Sequence, residues 1–164
     1  MNRTITAKQQ LVADIINRNS HRIMMLCRGY CDNREDLEDL FQEVSIKIWN
    51  GIDSFRGEAE ESTWVYRVTL NTAINFKRHK SRRITTVPIL DHDTIDASME
   101  PDKRTGQLYA LLMKLDVVDR ALIMLWLENL TYEEIGLVMG LSAKNVSVKL
   151  VRIKEKLKQL SKTC

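Results

Sequence analysis

The chain has 164 residues, 44% of them hydrophobic, and a formal net charge of +3, which is enough apolar content for one ordinary domain or two small ones built without disulfides. Its longest unbroken apolar run, Ala121 to Leu127, is seven residues, far short of the roughly 20 that a membrane-spanning helix needs. The opening Met1-Asn2-Arg3-Thr4 leads into polar-interrupted sequence rather than a secretory stretch, so the expected compartment is the cytoplasm.

Three cysteines fit that compartment as free thiols. Cys27, Cys31 and nearby His21 supply three metal-ligand candidates with no second cluster, whereas structural zinc takes four, so no metal and no cofactor is expected. Charge is segregated along the chain. Asp32 to Glu43 holds six acids against one arginine, Lys77 to Arg83 holds five Lys or Arg and no acid, and Lys144 to Lys158 holds six basic side chains and one glutamate. Two separated basic patches can each neutralise phosphates.

Helical periodicity and only six glycines and two prolines predict an all-α fold. A first helix is expected over Lys8 to Tyr30. A second should start near Asn33 and bury Leu37, Leu40, Phe41, Val44 and Ile48 as one stripe. Glu35, Asp36, Asp39, Gln42 and Glu43 then face elsewhere, and such an acidic surface is ordinarily just solvated. After a loop over Gly51 to Glu60, a third helix should run over Glu61 to Lys80 with Trp64, Arg67, Asn71, Asn75 and Arg78 on one face. An aromatic, amides and cations so aligned can stack on unpaired bases, bond base edges and hold phosphates; a packed tryptophan is the alternative reading of Trp64.

From Ile84 to Lys103 the helical pattern lapses and Pro88, Pro101 and five acids gather, which predicts a flexible linker. It divides the chain into 1–83, 84–103 and 104–164. In the last part Thr131 and Glu134 form a capping-box pattern, so a short helix should begin at Tyr132 and end before Gly140. Ser142 should cap the final helix. There Val146, Leu150, Ile153, Leu157 and Leu160 make the apolar stripe, opposite Asn145, Lys149, Arg152 and Lys156. Helix, turn, basic helix is the pattern of a DNA-reading helix-turn-helix, in which asparagine pairs with adenine, Lys or Arg with guanine, and Val148 meets a thymine methyl. Protein contact is the alternative use of such a hairpin.

With both halves in view, the sequence resembles the extracytoplasmic-function sigma factors over nearly its whole length outside the linker and extreme ends. Asp36-Leu-Glu-Asp-Leu-Phe-Gln-Glu-Val44 is similar to their region 2.2, which docks on the beta-prime clamp helices of RNA polymerase. The resemblance implies polymerase contacts at Asp36, Asp39, Gln42 and Glu43. Phe55-Arg-Gly-Glu58, Thr63-Trp-Val-Tyr-Arg67 and Asn71 look like the segment that melts and reads the minus-ten element, in which Asp53 to Ser62 is the base-capturing loop. This implies DNA contacts at Phe55, Arg56, Trp64, Arg67, Asn71, Asn75, Arg78 and Lys80. Leu130-Thr-Tyr-Glu-Glu-Ile-Gly136 through Gly140-Leu-Ser142 to Arg152 looks like region 4, implying minus-thirty-five contacts at Ser142, Lys144, Asn145, Val148, Lys149 and Arg152.

The resemblance thus implies two small helical domains, region 2-like and helix-turn-helix region 4-like, that bind polymerase core and promoter DNA and answer to an anti-sigma partner. Three departures stand out. Ser45 replaces a usual aromatic, Leu115-Asp-Val-Val-Asp-Arg120 replaces the usual Leu-Pro helix start, and Asn145, Ser147, Val148 and Lys149 replace commoner recognition-helix residues, which implies an unusual promoter. A dimeric helix-turn-helix regulator and a protein-only interaction module are the competing readings. An enzyme lacks support, because no phosphate loop, metal cluster or nucleophile-base pair is evident.

Overall fold

Asn33 begins the second helix in the manner its residue type favours: its extended backbone lets the side chain accept from the Asp36 N–H. In the computed structural model, residues 2–84 and 102–163 are described, with side chains over 6–81 and 102–163. The helices are α1 (Asn2–Arg28), α2 (Arg34–Gly51), α3 (Glu61–Ile84), α4 (Lys103–Leu112), α5 (Val117–Leu127), α6 (Tyr132–Met139) and α7 (Ala143–Lys162), and a 3-10 turn at Ile52–Ser54 follows α2. No strand occurs among the described residues, as the all-α expectation requires.

Helix α1 starts earlier than expected and stops at Arg28, where Gly29 and Tyr30 form the turn that leads into α2. Helix α3 runs four residues past Lys80, to Ile84. The expected linker, with Pro88, Pro101 and four of its five acids, falls almost wholly outside the described residues, as do Met1, the side chains of Asn2 to Ile5, those of Arg82 and Arg83, and Cys164; its fifth acid, Asp102, caps α4 by accepting from the Thr105 N–H.

Helices α1, α2 and α3 pack on one another. Leu40, Val44 and Ile48 of the α2 stripe are fully buried, as are Ile23 and Leu26 of α1 and Leu70 and Ala73 of α3, while Leu37 and Phe41 sit half-buried at the margin. Cys27 and Cys31 lie in this core as free thiols, and burial pushes the Cys31 thiol up to about 12. Among the described residues no group of three His, Cys, Asp or Glu is placed to hold a metal ion, and no helix is long and apolar enough to cross a membrane.

In the second half α7 packs on α4, α5 and α6. Asp116 caps α5 by accepting from the N–H groups of Val118 and Asp119 at 3.0 Å each, so an aspartate does here what the usual Leu-Pro start would otherwise do. The capping box at α6 is complete: Thr131 Oγ1 accepts from the Glu134 N–H, and the Glu134 carboxylate accepts from the Thr131 N–H. Gly140 ends α6 at φ +70°, the left-handed conformation glycine adopts without cost. Gly136 has a separate reason: a Cβ there would lie 2.4 Å from the Leu141 carbonyl oxygen, where the turn closes on the helix.

The two halves also touch. Helix α3 packs on α5 and α6, and Arg120 of α5, 3% exposed, donates to the carbonyls of Leu112, Met113 and Leu115 in its own half and of Gly29 in the other.

Candidate polymerase and nucleic-acid interface

The first surface is the outer face of α2. Asp39 and Gln42 are exposed and Glu43 is half-buried, so these three expected contacts share open ground. Asp36 does not stand with them. Its carboxylate accepts from Asn33 Nδ2 and pairs with the Lys80 ammonium, and Asp32 likewise pairs with Lys77 at 3.2 Å. The basic end of α3 therefore covers the acidic start of α2, and Asp36 and Lys80, expected at two different sites, neutralise each other. Sequence reasoning missed Ile46, which is 57% exposed. It lies seven residues, nearly two helical turns, after Asp39 and on the same face; that spacing was the available signal. Ser45 donates to the Phe41 carbonyl at 2.9 Å, so its hydroxyl is occupied within the helix where an aromatic would pack.

The second surface is the loop after α2 and the outer face of α3. Phe55 stacks on Trp64 with ring centroids 4.9 Å apart, and a Cβ at Gly51 would come within 3.2 Å of the Trp64 ring. Trp64 is half-buried beneath its own loop, with its ring neither lost in the core nor fully open. Lys8 clamps the loop from α1, pairing with Asp53 at 2.6 Å while lying 4.8 Å over Trp49. At the start of α3 the Arg18 guanidinium donates to both Glu61 oxygens, at 3.1 and 2.8 Å, and Asn19 adds a third bond. The Arg18 hydrogen bond is the main cause holding the Glu61 carboxyl below its ordinary value. Beyond this clamp Asn71, Asn75 and Arg78 are exposed along the helix, and Arg56 is exposed in the loop. Arg67 departs from the row: its Nε and Nη2 donate to the Leu137 carbonyl of α6 at 2.9 and 2.6 Å.

The third surface is α7. Ser142 caps it by accepting from the Asn145 N–H at 3.1 Å. Val146, Leu150 and Ile153 are buried, Leu157 and Leu160 half-buried, and Lys144, Asn145, Val148, Lys149 and Arg152 all exposed. Val151, 66% exposed, extends the apolar part of this face beyond Val148. Lys154 is engaged elsewhere, 3.8 Å over the Trp126 ring, and so ties α7 to α5. Amides and cations free at the start of a helix that follows a tight turn can enter a major groove and bond base edges and phosphates.

Comparison with known proteins bears on all three surfaces. The Sigma-70 region 2 model matches residues 15–83, and the Sigma-70, region 4 model matches residues 105–157. An ECF RNA polymerase sigma-E factor of Haemophilus influenzae is 28% identical over 156 residues, spanning 86% of this chain and 82% of that protein. Among solved structures, the Bartonella quintana sigma factor RpoE in complex with the anti-sigma factor NepR has a TM-score of 0.72 at 17% identity, covering 94% of this chain and 96% of that one. CnrH in complex with the cytosolic domain of CnrY has a TM-score of 0.71 at 21% identity, covering 94% of this chain and 90% of that one.

Proposed function

The chain belongs to the extracytoplasmic-function sigma factors, which direct bacterial RNA polymerase to promoters, and from that premise we propose how the work is divided along it. Residues 1–83 bind polymerase core and take the minus-ten element, 84–103 join the halves, and 104–164 take the minus-thirty-five element. Asp39, Gln42 and Glu43 of α2 meet the beta-prime clamp helices, with Ile46 supplying apolar contact between them. Asp36 serves this surface by fixing the end of α3 through Lys80.

Phe55, Arg56 and Trp64 receive an unpaired base at the loop, and Asn71, Asn75 and Arg78 hold the strand that carries it. Lys144, Asn145, Val148, Lys149 and Arg152 read the duplex upstream, with Ser142 capping their helix. No catalytic side chain is required. Captured bases shift the duplex toward its open state, the binding energy offsetting a few kcal/mol of unstacking. Two weak DNA contacts on one chain gain effective concentration once the first has formed. The protein works in the cytoplasm and answers to an anti-sigma partner, a reading supported by the sigma and anti-sigma complex among its structural neighbours.

The observation that carries the division is the coincidence of exposure with charge. Every residue assigned to a contact is open or half-open to solvent, while Leu40, Val44, Leu70, Val146, Leu150 and Ile153, each adjacent in sequence to one of them, are buried. Permanganate footprinting of promoter complexes formed with core polymerase tests it. Asn71→Ala/Arg78→Ala is expected to leave DNA bound but unmelted, whereas Lys149→Ala/Arg152→Ala is expected to lose the complex. Identical loss of binding in both variants would contradict the division.

A further inference from the structure

The loop between α2 and α3 is held at both feet by one helix, α1. At the far foot the Arg18 guanidinium and the Asn19 amide converge on Glu61, the first residue of α3. Asn19 is 2% exposed; its amide also donates to the Ile15 carbonyl and its oxygen accepts from Arg22, so this foot is set in the core. At the near foot Lys8 donates to Asp53 at 2.6 Å across 45 residues of sequence, while its ammonium stands 4.8 Å over the Trp49 ring. Between the feet lie Phe55, stacked on Trp64, and the exposed tip Arg56, Gly57 and Glu58.

We propose that Lys8 is a positioning residue for base capture: through Asp53 it fixes the near foot of the loop, so that the Phe55 and Trp64 rings are set before a base arrives. The proposal rests on the minus-ten reading given above and adds to that site a residue of the first helix that need touch no base. Asp53 stands two residues before Phe55, and its side chain is 76% exposed, so the fold around it supplies little other restraint. Lys8 is better held than its partner. Its side chain is 28% exposed and its cation rests on an indole face, which spares it much of the freedom a surface lysine loses on pairing. A loop ordered in advance spends none of the binding energy on ordering itself. The pair therefore contributes little to the stability of the fold and acts on the affinity of the loop for a base.

Abasic scanning tests this. The probe is the single strand that the full chain, bound to Escherichia coli core polymerase, selects from a randomised pool, with versions of it carrying an abasic site at each position in turn. For the wild type, removing the base at one position is expected to weaken binding about tenfold, the worth of a stacked base. Lys8→Ala is expected to shrink that ratio about threefold to fivefold and to leave the ratios at other positions as they were. General repulsion from the unpaired Asp53 would weaken every strand alike and leave the ratio untouched. Lys8→Arg, which keeps the cation, should restore it, and Lys8→Ala/Asp53→Asn should match either single variant, because the two residues act as one tie. Far-UV circular dichroism checks the fold; were Lys8→Ala to lose helix content, Asp53→Asn, isosteric at an exposed position, carries the same prediction. A Lys8→Ala chain that keeps the full ratio, or a double variant with a smaller ratio than either single one, overturns the proposal. A wild type with no position of special cost overturns the base-capture reading itself and the proposal with it, so the two failures are told apart.

Discussion

Arg120→Met should be among the most destabilising single changes in this chain. The guanidinium is 3% exposed, and its hydrogen bonds go to the carbonyls of Leu112, Gly29, Met113 and Leu115 at 2.8 to 3.0 Å, with Met113 Sδ at 3.4 Å. Desolvation lowers its pKa, yet the bonds and the Tyr30 ring keep the cation in place. Methionine fills much of the volume but donates nothing. Leu112 keeps a backbone partner in the Leu115 N–H, while the other three carbonyls lose this donor. At about 1–3 kcal/mol for each buried acceptor left unpaired, less what water access and relief of the buried cation return, the net loss is about 3–5 kcal/mol. Total stabilities of about 5–15 kcal/mol make that a large share. Arg120→Lys keeps the charge but not the fork, and about 2 kcal/mol is expected. Urea unfolding followed by far-UV circular dichroism measures both. A loss below about 1 kcal/mol for Arg120→Met, or none for Arg120→Lys, would refute the reasoning.

Three further outcomes follow from local chemistry. In a Cys164→Ser background, Cys27 and Cys31 should resist iodoacetamide at pH 8, since burial raises both thiols and holds Cys31 near 12; rapid native-state labelling, read by mass spectrometry, would contradict their placement. Glu61→Gln should cost about 0.5–1 kcal/mol at pH 7, a figure kept small because the Arg18 pair is partly exposed. The folded carboxyl lies below its ordinary 4.5, so the pair stabilises above that value and its contribution fades as pH falls through the lower folded value; urea midpoints of the two proteins should therefore converge as pH falls below 4.5. Gly140→Ala, at φ +70°, should cost about 1–2 kcal/mol, and Thr131→Ala about 1 kcal/mol through loss of the capping box, both by the same urea assay.

The parts of this architecture legible in the sequence are those set by neighbours along the chain. Thr131 with Glu134, Gly140 and Ser142 each do in the structure what their residue types do at helix ends, because a cap needs only a side chain and backbone three residues away. The Leu40, Val44 and Ile48 stripe was readable for a similar reason: 3.6-residue periodicity assigns faces without knowing what covers them. Arg120 was not readable. It stands between Asp119 and an apolar run, where a cation reads as surface, and its burial depends on Gly29, 91 residues away, presenting a carbonyl at the right place. Arg67 fits its helical wheel with Asn71 and Asn75, yet it turns to a carbonyl 70 residues distant. Asp36 reads as one more acid on an acidic helix, and only the path of α3 brings Lys80 to it. Each of these is decided by tertiary approach, which local pattern does not encode.

The central claim is that this chain gives polymerase core its start sites through the acidic face of α2. A run-off transcription assay with purified bacterial core polymerase and pooled genomic promoter fragments tests it, comparing the wild type with Asp39→Ala/Glu43→Ala. The account predicts discrete start sites that depend on the protein and a loss of at least about tenfold in the variant, about 1.4 kcal/mol of core binding. Equal transcription by both proteins would contradict the placement of that surface. Duplex binding by the protein alone, with no start sites from either, would contradict the division of labour drawn across its helices.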